Sequence, residues 1–109
     1  MSIQTVWLGH TFSVHLPSVE WSTAAGIYIF CGVSPQNKWT CLYVGQTVSF
    51  QARPGRPGAH DRWKEAVALG ATHVHAMVVP LQAGRDRIER ELIAGYKPPL
   101  NVHHVNPQR

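Results

Sequence analysis

The chain has 109 residues, of which 44% are hydrophobic, and a formal net charge of +4. This composition predicts one folded domain and excludes a compositionally disordered chain. No apolar stretch approaches the roughly 20 residues needed to span a bilayer. The N-terminal segment lacks the basic start and apolar run of a signal peptide, so we expect a cytoplasmic protein.

The predicted elements alternate between strand and helix along the chain. Residues 1–24 are apolar enough to predict one short strand or an ordered arm, packed as an extension on a domain of residues 25–109. Runs of β-branched and aromatic residues predict strands at 25–33, 39–47 and 72–79. Helices are predicted at 48–53, 61–69 and 84–96, with a Pro-Gly loop at 54–58. This order predicts an α+β fold with helices packed on a small antiparallel sheet.

Two tripeptides stand on the first two of these strands, Gly26-Ile27-Tyr28 and Tyr43-Val44-Gly45. Arg53 follows eight residues after Gly45, Glu89 lies on the last predicted helix, and Asn101 comes twelve residues after Glu89. A tyrosine in a strand is usually only a good strand former, so each tripeptide alone is a weak signal. The ordered set resembles the GIY-YIG nuclease family, over residues 25–101.

The resemblance implies a fold, an activity and a role for each matched residue. The fold has a central three-stranded antiparallel sheet flanked by helices. The activity is metal-dependent endonuclease cleavage of DNA, with Mg²⁺ or Mn²⁺ held by Glu89. Arg53 would face the scissile phosphate, and Asn101 would brace the site. Tyr28 and Tyr43 would help to deprotonate the attacking water, and we favour Tyr43 as the base.

Two positions depart from the family pattern. Some relatives have a lysine directly after the second glycine, where this chain has Gln46, and a glutamine cannot supply that positive charge. Many relatives have a histidine about four residues after the arginine, whereas His60 follows Arg53 by seven. We interpret His60 as the substitute, displaced by an insertion in the 54–58 loop; the alternative is a solvent-exposed histidine at a helix N-terminus.

The positive charge is unevenly placed along the chain. Lys38 is the only one of ten lysines and arginines before residue 50. Such a distribution suits a polyanionic partner, although a solvated helix surface would show it too. We expect nucleic-acid contacts from Gln46, Arg53, Arg56 and Arg62.

The spacing of the tyrosines constrains the two cysteines. Residues that lie opposite each other on paired strands share a face, and successive residues of a strand alternate between faces. Tyr28 and Tyr43 therefore share a face only if the sequence numbers of each facing pair add up to an odd number. Cys31 and Cys41 then lie on opposite faces and remain unbonded, unless a bulge intervenes. We expect both thiols to be reduced and buried.

Helix geometry separates the two glutamates of the last helix. Glu89 precedes Leu92 and Ile93 by three and four residues, so it borders the apolar face. Glu91 is turned about 200° away, at roughly 100° per residue. The alternative for Glu89 is a plain surface ion pair with Arg85.

The sequence leaves three alternative interpretations open. A catalytically silent nucleic-acid-binding module would keep the same fold, and a protein-interaction domain would use the tyrosines as core. A zinc site at His73 and His75, or at His103-His104, lacks further ligands at a suitable spacing. Because no separate recognition domain is evident, three arrangements stay open: a nuclease of low sequence specificity, a structure-selective nuclease, or a catalytic half recruited by a partner that supplies DNA specificity. A homodimer could cut both strands.

Overall fold

A computed structural model describes residues 3–52 and 61–101. Its strands are β1 (Gln4–Trp7), β2 (His10–His15), β3 (Gly26–Val33), β4 (Trp39–Thr47) and β5 (Ala71–Val78). Its helices are α1 (Asp61–Ala68) and α2 (Gln82–Tyr96), with 3₁₀ helices at Phe50–Ala52 and Pro99–Asn101. No helix in these two described ranges is long and apolar enough to cross a membrane.

The described strands form one antiparallel sheet in the order β1-β2-β5-β3-β4. The α+β class and the three strands predicted at 25–33, 39–47 and 72–79 are confirmed to within one residue. The prediction of a three-stranded sheet is wrong, because the residues that the structure describes form a sheet of five strands. The two additional strands, β1 and β2, come from residues for which we expected one strand or an arm. The domain boundary at residue 25 stays a prediction.

A tight turn explains why the N-terminal segment forms a hairpin. Leu8 and Gly9 both have left-handed backbones, with φ of 47° and 81°. They reverse the chain so that Trp7 pairs with His10. β2 then pairs with β5, where Ser13 lies opposite Ala76, and so extends the central sheet on one side.

Helices cover both faces of the sheet. The face that carries Tyr28, Phe30 and Tyr43, here called the tyrosine face, packs against α1 through Trp63 and Ala66. The opposite face, here called the α2 face, carries mainly aliphatic side chains and packs against α2. Its buried members include Ile27, Ile29 and Val44 of the sheet and Ile88 and Leu92 of the helix.

A β-bulge changes the geometry of the two cysteines. The register between β3 and β4 shifts between Phe30 and Cys31, so Cys31 lies opposite Cys41. Both thiols are free and buried on the α2 face. The prediction of unbonded, buried cysteines is therefore confirmed, but the prediction of opposite faces is wrong. Beyond Phe30, the extra residue of the bulge reverses which face of the sheet the facing residues of β4 occupy. The pairing of the strands at the tyrosines is regular and keeps both on one face.

Candidate functional site

The two motif tyrosines lie side by side on the tyrosine face. Tyr28 lies opposite Gly45, and Phe30 lies opposite Tyr43. The ring centroids of Tyr28 and Tyr43 are 6.2 Å apart. Opposite residues of an antiparallel pair share a face, so the predicted common face of the tyrosines is confirmed.

Gly45 makes room for the phenol of Tyr28. A Cβ atom placed on Gly45 would lie 2.5 Å from the Tyr28 hydroxyl oxygen. Nonbonded carbon and oxygen atoms cannot approach this closely, so the side chain would have to move. The Tyr28 ring therefore crosses directly over the backbone of β4 at this glycine. The second tripeptide needs its glycine because any larger residue would displace the tyrosine of the first tripeptide.

Asn101 binds the free edge of β4. In the described sheet β4 is an outer strand, so its outward N–H and C=O groups lack a strand partner. The Asn101 side chain supplies both partners: the Val44 N–H donates to Oδ1 at 2.8 Å, and Nδ2 donates to the Val44 carbonyl at 3.0 Å. Asn101 is buried, with 3% of its surface exposed. Its role in bracing the site stays a prediction, and these two hydrogen bonds support it.

The segment that follows α2 places Asn101 at this edge. Lys97 has a left-handed backbone with φ of 47°, and its N–H donates to the Ile93 carbonyl. Pro98 follows and cannot continue the helix. The chain then turns into the 3₁₀ helix Pro99–Asn101 against β4.

Glu89 contacts β4 through Gln46. The Gln46 side chain lies on the α2 face of this strand, opposite to the tyrosine face. Gln46 Nε2 donates to Glu89 Oε1 at 2.8 Å. Glu89 is half-buried, whereas its neighbours Ile88 and Leu92 are buried in the α2 face. The predicted position of Glu89 at the border of the apolar face is thus confirmed. The alternative ion pair with Arg85 is not found among the described residues.

Gln46 belongs to a polar network that sequence reasoning missed. The same Nε2 donates to Asp86 Oδ1 at 2.9 Å, and Gln46 Oε1 accepts from Gln82 Nε2 at 2.9 Å. The hydrogen bonds that Gln46 and Gln82 donate to Asp86 Oδ1 lower the pKa of this carboxyl below its ordinary value. Asp86 precedes Glu89 by three residues, a spacing that places both carboxylates on one side of a helix and was visible in the sequence.

Arg85 fixes one end of this network. It is buried at 4% exposure, and its Nη1 donates to the carbonyls of Val79 and Pro80 at 3.1 and 2.8 Å. Its Nε also donates to Gln46 Oε1 at 3.4 Å. Arg85 therefore joins the end of β5 to the start of α2. No sequence signal distinguished it from the exposed arginines that follow.

Glu91 points away from this cluster, as predicted. It is exposed, and its Oε1 lies 3.4 Å from His10 Nε2 on β2. The two glutamates of α2 therefore occupy different surroundings, one beside the edge of β4 and one beside the N-terminal hairpin.

Of the cationic side chains predicted to lie at the site, the described residues include only Arg62. Arg53, Arg56 and His60 lie outside the described residues. Arg62, at the start of α1, donates through Nη1 to Glu65 Oε1 at 2.5 Å. The nucleic-acid contacts expected of these residues stay predictions.

His75, on β5, packs inside the protein. His75 is fully buried, and its Nδ1 accepts a hydrogen bond from the Trp7 indole at 2.9 Å. Burial lowers the pKa of His75 to about 4, and His73 and His15 add to the effect. Among residues 3–52 and 61–101, no cluster of three or more His, Cys, Asp or Glu side chains could hold a metal ion. His103-His104 lie outside the described residues.

The donor chemistry beside β4 nevertheless fits Mg²⁺. Mg²⁺ often takes only one or two protein carboxylates and completes its octahedron with water and substrate phosphate. Glu89 offers one such carboxylate, with a second from Asp86 bound to the same Gln46 amide. Neither carboxylate forms an ion pair within the described part of the chain.

Comparison with known proteins gives matches among solved structures. The magnesium-bound crystal structure of the GIY-YIG N-terminal endonuclease domain of UvrC from Thermotoga maritima has a TM-score of 0.61 and 21% identity, covering 75% of this chain and 88% of that one. The chain has the GIY-YIG fold. A Tyr→Phe point mutant of the same domain, bound to its catalytic divalent cation, has a TM-score of 0.60 and 23% identity, covering 75% and 87%. No protein-family model and no curated protein matches the chain.

Proposed function

We propose that this chain is a metal-dependent endonuclease that hydrolyses phosphodiester bonds in DNA. The observation that carries the proposal is the arrangement around β4. Tyr28 and Tyr43 occupy its tyrosine face, Asn101 binds its outer edge, and Glu89 is hydrogen-bonded to Gln46. Together with the GIY-YIG fold, this arrangement supports the role that the sequence motifs imply for each residue.

Glu89 is the proposed metal ligand. Mg²⁺ or Mn²⁺ bound there would act as a Lewis acid that withdraws charge from the phosphate and the leaving oxygen. Gln46 holds Glu89 Oε1 through a neutral amide. No positively charged side chain of the described residues therefore forms an ion pair with Glu89 that a cation would have to displace.

The phosphate is bound by the cationic side chains that follow β4. Arg53 is the proposed ligand of the scissile phosphate, because a guanidinium is always charged and can hold two phosphate oxygens at once. Arg56 and Arg62 would bind the flanking backbone. Gln46, also predicted to contact nucleic acid, donates to Glu89 and Asp86, so its amide would have to release one of these hydrogen bonds to reach a phosphate. Asn101 keeps the edge of β4 in place and takes no part in proton transfer.

Tyr43 is the proposed general base, acting directly on the attacking water or through a second water. A free phenol has a pKa near 10, so it needs a nearby positive charge to act near neutral pH. Arg53 and His60 are the proposed sources of that help, since Gln46 provides none. Tyr28 holds its hydroxyl beside Gly45 and is the proposed second phenol of the site.

The proposal is tested by a cleavage panel. Purified protein is incubated with single-stranded, duplex and branched DNA and with RNA, in Mg²⁺, in Mn²⁺ and in excess chelator. We expect metal-dependent cleavage of at least one DNA substrate and none with chelator. Cleavage that persists in chelator, or an absence of cleavage on every DNA, contradicts the proposal.

A catalytically silent nucleic-acid-binding module is the second candidate. Its support is the shifted position of His60 in the sequence and the neutral Gln46, which binds one oxygen of Glu89 and stands where some GIY-YIG nucleases have a lysine. This candidate predicts salt-sensitive DNA binding without cleavage, so the same panel combined with a binding assay separates the two functions. A protein-interaction domain would show neither.

The setting of the activity is also a proposal. We propose that the protein acts in the cytoplasm and that it either forms a homodimer that cuts both strands or is recruited by a partner protein that supplies DNA specificity. Sedimentation of the protein alone and with duplex DNA would test the first of these two arrangements.

A further inference from the structure

A second concave site lies on the tyrosine face, away from Glu89. It is a half-enclosed cleft of about 210 Å³ between β2, β5 and the segment that follows β2. Trp21 and Phe50 line it and pack against each other, with ring centroids 6.0 Å apart, so that together they form one aromatic wall. His15 packs edge-on against Trp21 at 5.0 Å. A cleft of this size and aromatic lining fits one planar heterocycle.

The sheet register places the cleft beside the motif tyrosines. Ser13 on β2 lies opposite Ala76 on β5, and Ala76 lies opposite Tyr28 on β3. Both Ser13 and Ala76 line the cleft. At about 4.8 Å between neighbouring strands, Ser13 and Tyr28 are about 10 Å apart on the same face. This is the scale of one or two nucleotides along a strand.

Hydrogen bonding fixes which polar atoms the cleft presents. Ser13 Oγ donates to the Ala76 carbonyl at 3.1 Å, so it accepts from His15 Nε2 at 2.7 Å. The second ring nitrogen of His15 is then an acceptor, and burial lowers the pKa of this imidazole. The Trp21 indole N–H is buried and has no hydrogen-bond partner among residues 3–52 and 61–101.

The charge at the cleft disfavours a phosphate. Glu20 lines the cleft, and no lysine or arginine does so within the described residues. A carboxylate repels a phosphodiester but accepts hydrogen bonds from ring or exocyclic N–H groups. The occupant is therefore aromatic, uncharged and able to donate hydrogen bonds.

We propose that this cleft, here called the base cleft, binds one unstacked nucleobase of the DNA strand that the protein cleaves. The proposal rests on the proposed function and deepens it: the enzyme engages a base that is unpaired or flipped out near the scissile bond. Stacking on Trp21 provides affinity for any base, since every base has a π-face. The acceptors of Glu20 and His15 favour bases that carry N–H donors.

The base cleft is tested by an abasic scan. Short single-stranded DNA is bound to the protein in chelator, so that no cleavage occurs, and a single abasic site is moved along the strand. We expect one or two positions at which the missing base weakens binding about 10- to 100-fold, with little change elsewhere. Trp21→Leu should weaken binding of the intact strand by a similar factor and remove the position dependence. Trp39→Leu, on the α2 face, is the matched control and should keep it.

Each outcome decides a separate point. Equal losses at all positions, or an unchanged position dependence in a folded Trp21→Leu variant, overturn the base cleft and leave the nuclease proposal standing. Failure of every DNA to bind at low salt overturns both. The scan on the unaltered protein remains decisive even where the Trp21→Leu variant does not fold.

Discussion

Gln46 Nε2 donates to Glu89 Oε1 at 2.8 Å and so ties the proposed metal ligand to the strand of the second tripeptide. The orientation of the Gln46 amide is fixed, because its oxygen accepts from both Gln82 and Arg85. A lysine at this position would place a positive charge beside Glu89. The glutamine positions Glu89 without neutralising it, which is what a cation site requires.

Glu89→Gln should abolish cleavage and leave DNA binding intact or slightly tighter. The substitution keeps the size and polarity of the side chain and removes the charge that would hold Mg²⁺. Removing one negative charge near the phosphate accounts for the tighter binding. Plasmid nicking in Mg²⁺ measures activity, and fluorescence anisotropy in chelator measures affinity.

Glu91→Gln is the matched control for this experiment. It changes the same residue type on the same helix, but Glu91 is exposed and faces His10. An exposed pair of this kind contributes about 0–1 kcal/mol to the free energy of unfolding. Activity should therefore change little. Loss of activity in Glu91→Gln with retention in Glu89→Gln would make both the helix-face argument and the carry-over of residue roles wrong.

Arg53→Ala should reduce both the cleavage rate and the affinity for DNA. Losing one electrostatic contact to a transition state typically costs about 10²–10³ in rate. The variant should also show a shallower dependence of affinity on salt, because one fewer counterion is released on binding. Binding is measured over a series of salt concentrations; an unchanged salt slope would place Arg53 away from the DNA backbone.

Asn101→Ala should lower the free energy of unfolding by about 1–3 kcal/mol, because the N–H and C=O of Val44 lose their partners at the edge of β4. Urea denaturation measures this loss. Gln51→Ala, at an exposed position of the 3₁₀ helix Phe50–Ala52, is the control and should change the free energy little. Equal stability of the two variants would indicate that water replaces the Asn101 amide.

The sequence predicted the elements that local patterning determines. The runs around Tyr28 and Tyr43 carry β-branched and aromatic residues, and the i,i+3 and i,i+4 spacing on α2 placed Glu89 and Glu91 on different sides. The parity argument located the tyrosines correctly because the register is regular between Gly26 and Phe30. It failed for the cysteines, since a bulge is set by local backbone packing and leaves no mark in the alternation of residues.

The polar network around Gln46 could not be predicted for a different reason. Gln82, Arg85 and Asp86 look like ordinary surface residues of a helix start. Their partners lie about 40 residues away on β4, and only the tertiary packing of α2 brings them together. The N-terminal hairpin was likewise hidden, because its turn depends on a left-handed leucine.

His75 should make stability depend on pH between about 4 and 6.5. Its folded-state pKa of about 4 lies below its unfolded value of 6.5, so the unfolded state binds more protons in this range. The stabilising contribution is complete above pH 6.5 and is lost as pH falls toward 4. Protonation would leave a charged Nε2 buried without a partner among the described residues.

The measurement compares His75→Gln with the unaltered protein by urea denaturation over this pH range. The unaltered protein should lose about 2 kcal/mol more on acidification, after allowing for solvent screening. Carboxylates titrate in both proteins, so the difference isolates His75. Parallel curves would show that the imidazole titrates normally in the fold.

Tyr43→Phe should slow cleavage about 10²–10⁴-fold without unfolding the protein, because it keeps the ring that packs against Tyr28 and Phe30 and removes only the proposed base. Single-turnover cleavage measures the chemical step, and DNA affinity in chelator should stay the same. Tyr96→Phe provides the control: its hydroxyl accepts a hydrogen bond from the Leu8 N–H at 2.9 Å, far from β4, so its loss affects stability and not rate. Equal rates in Tyr43→Phe and Tyr96→Phe would move the base to another group, and Tyr28→Phe is then the next variant to measure.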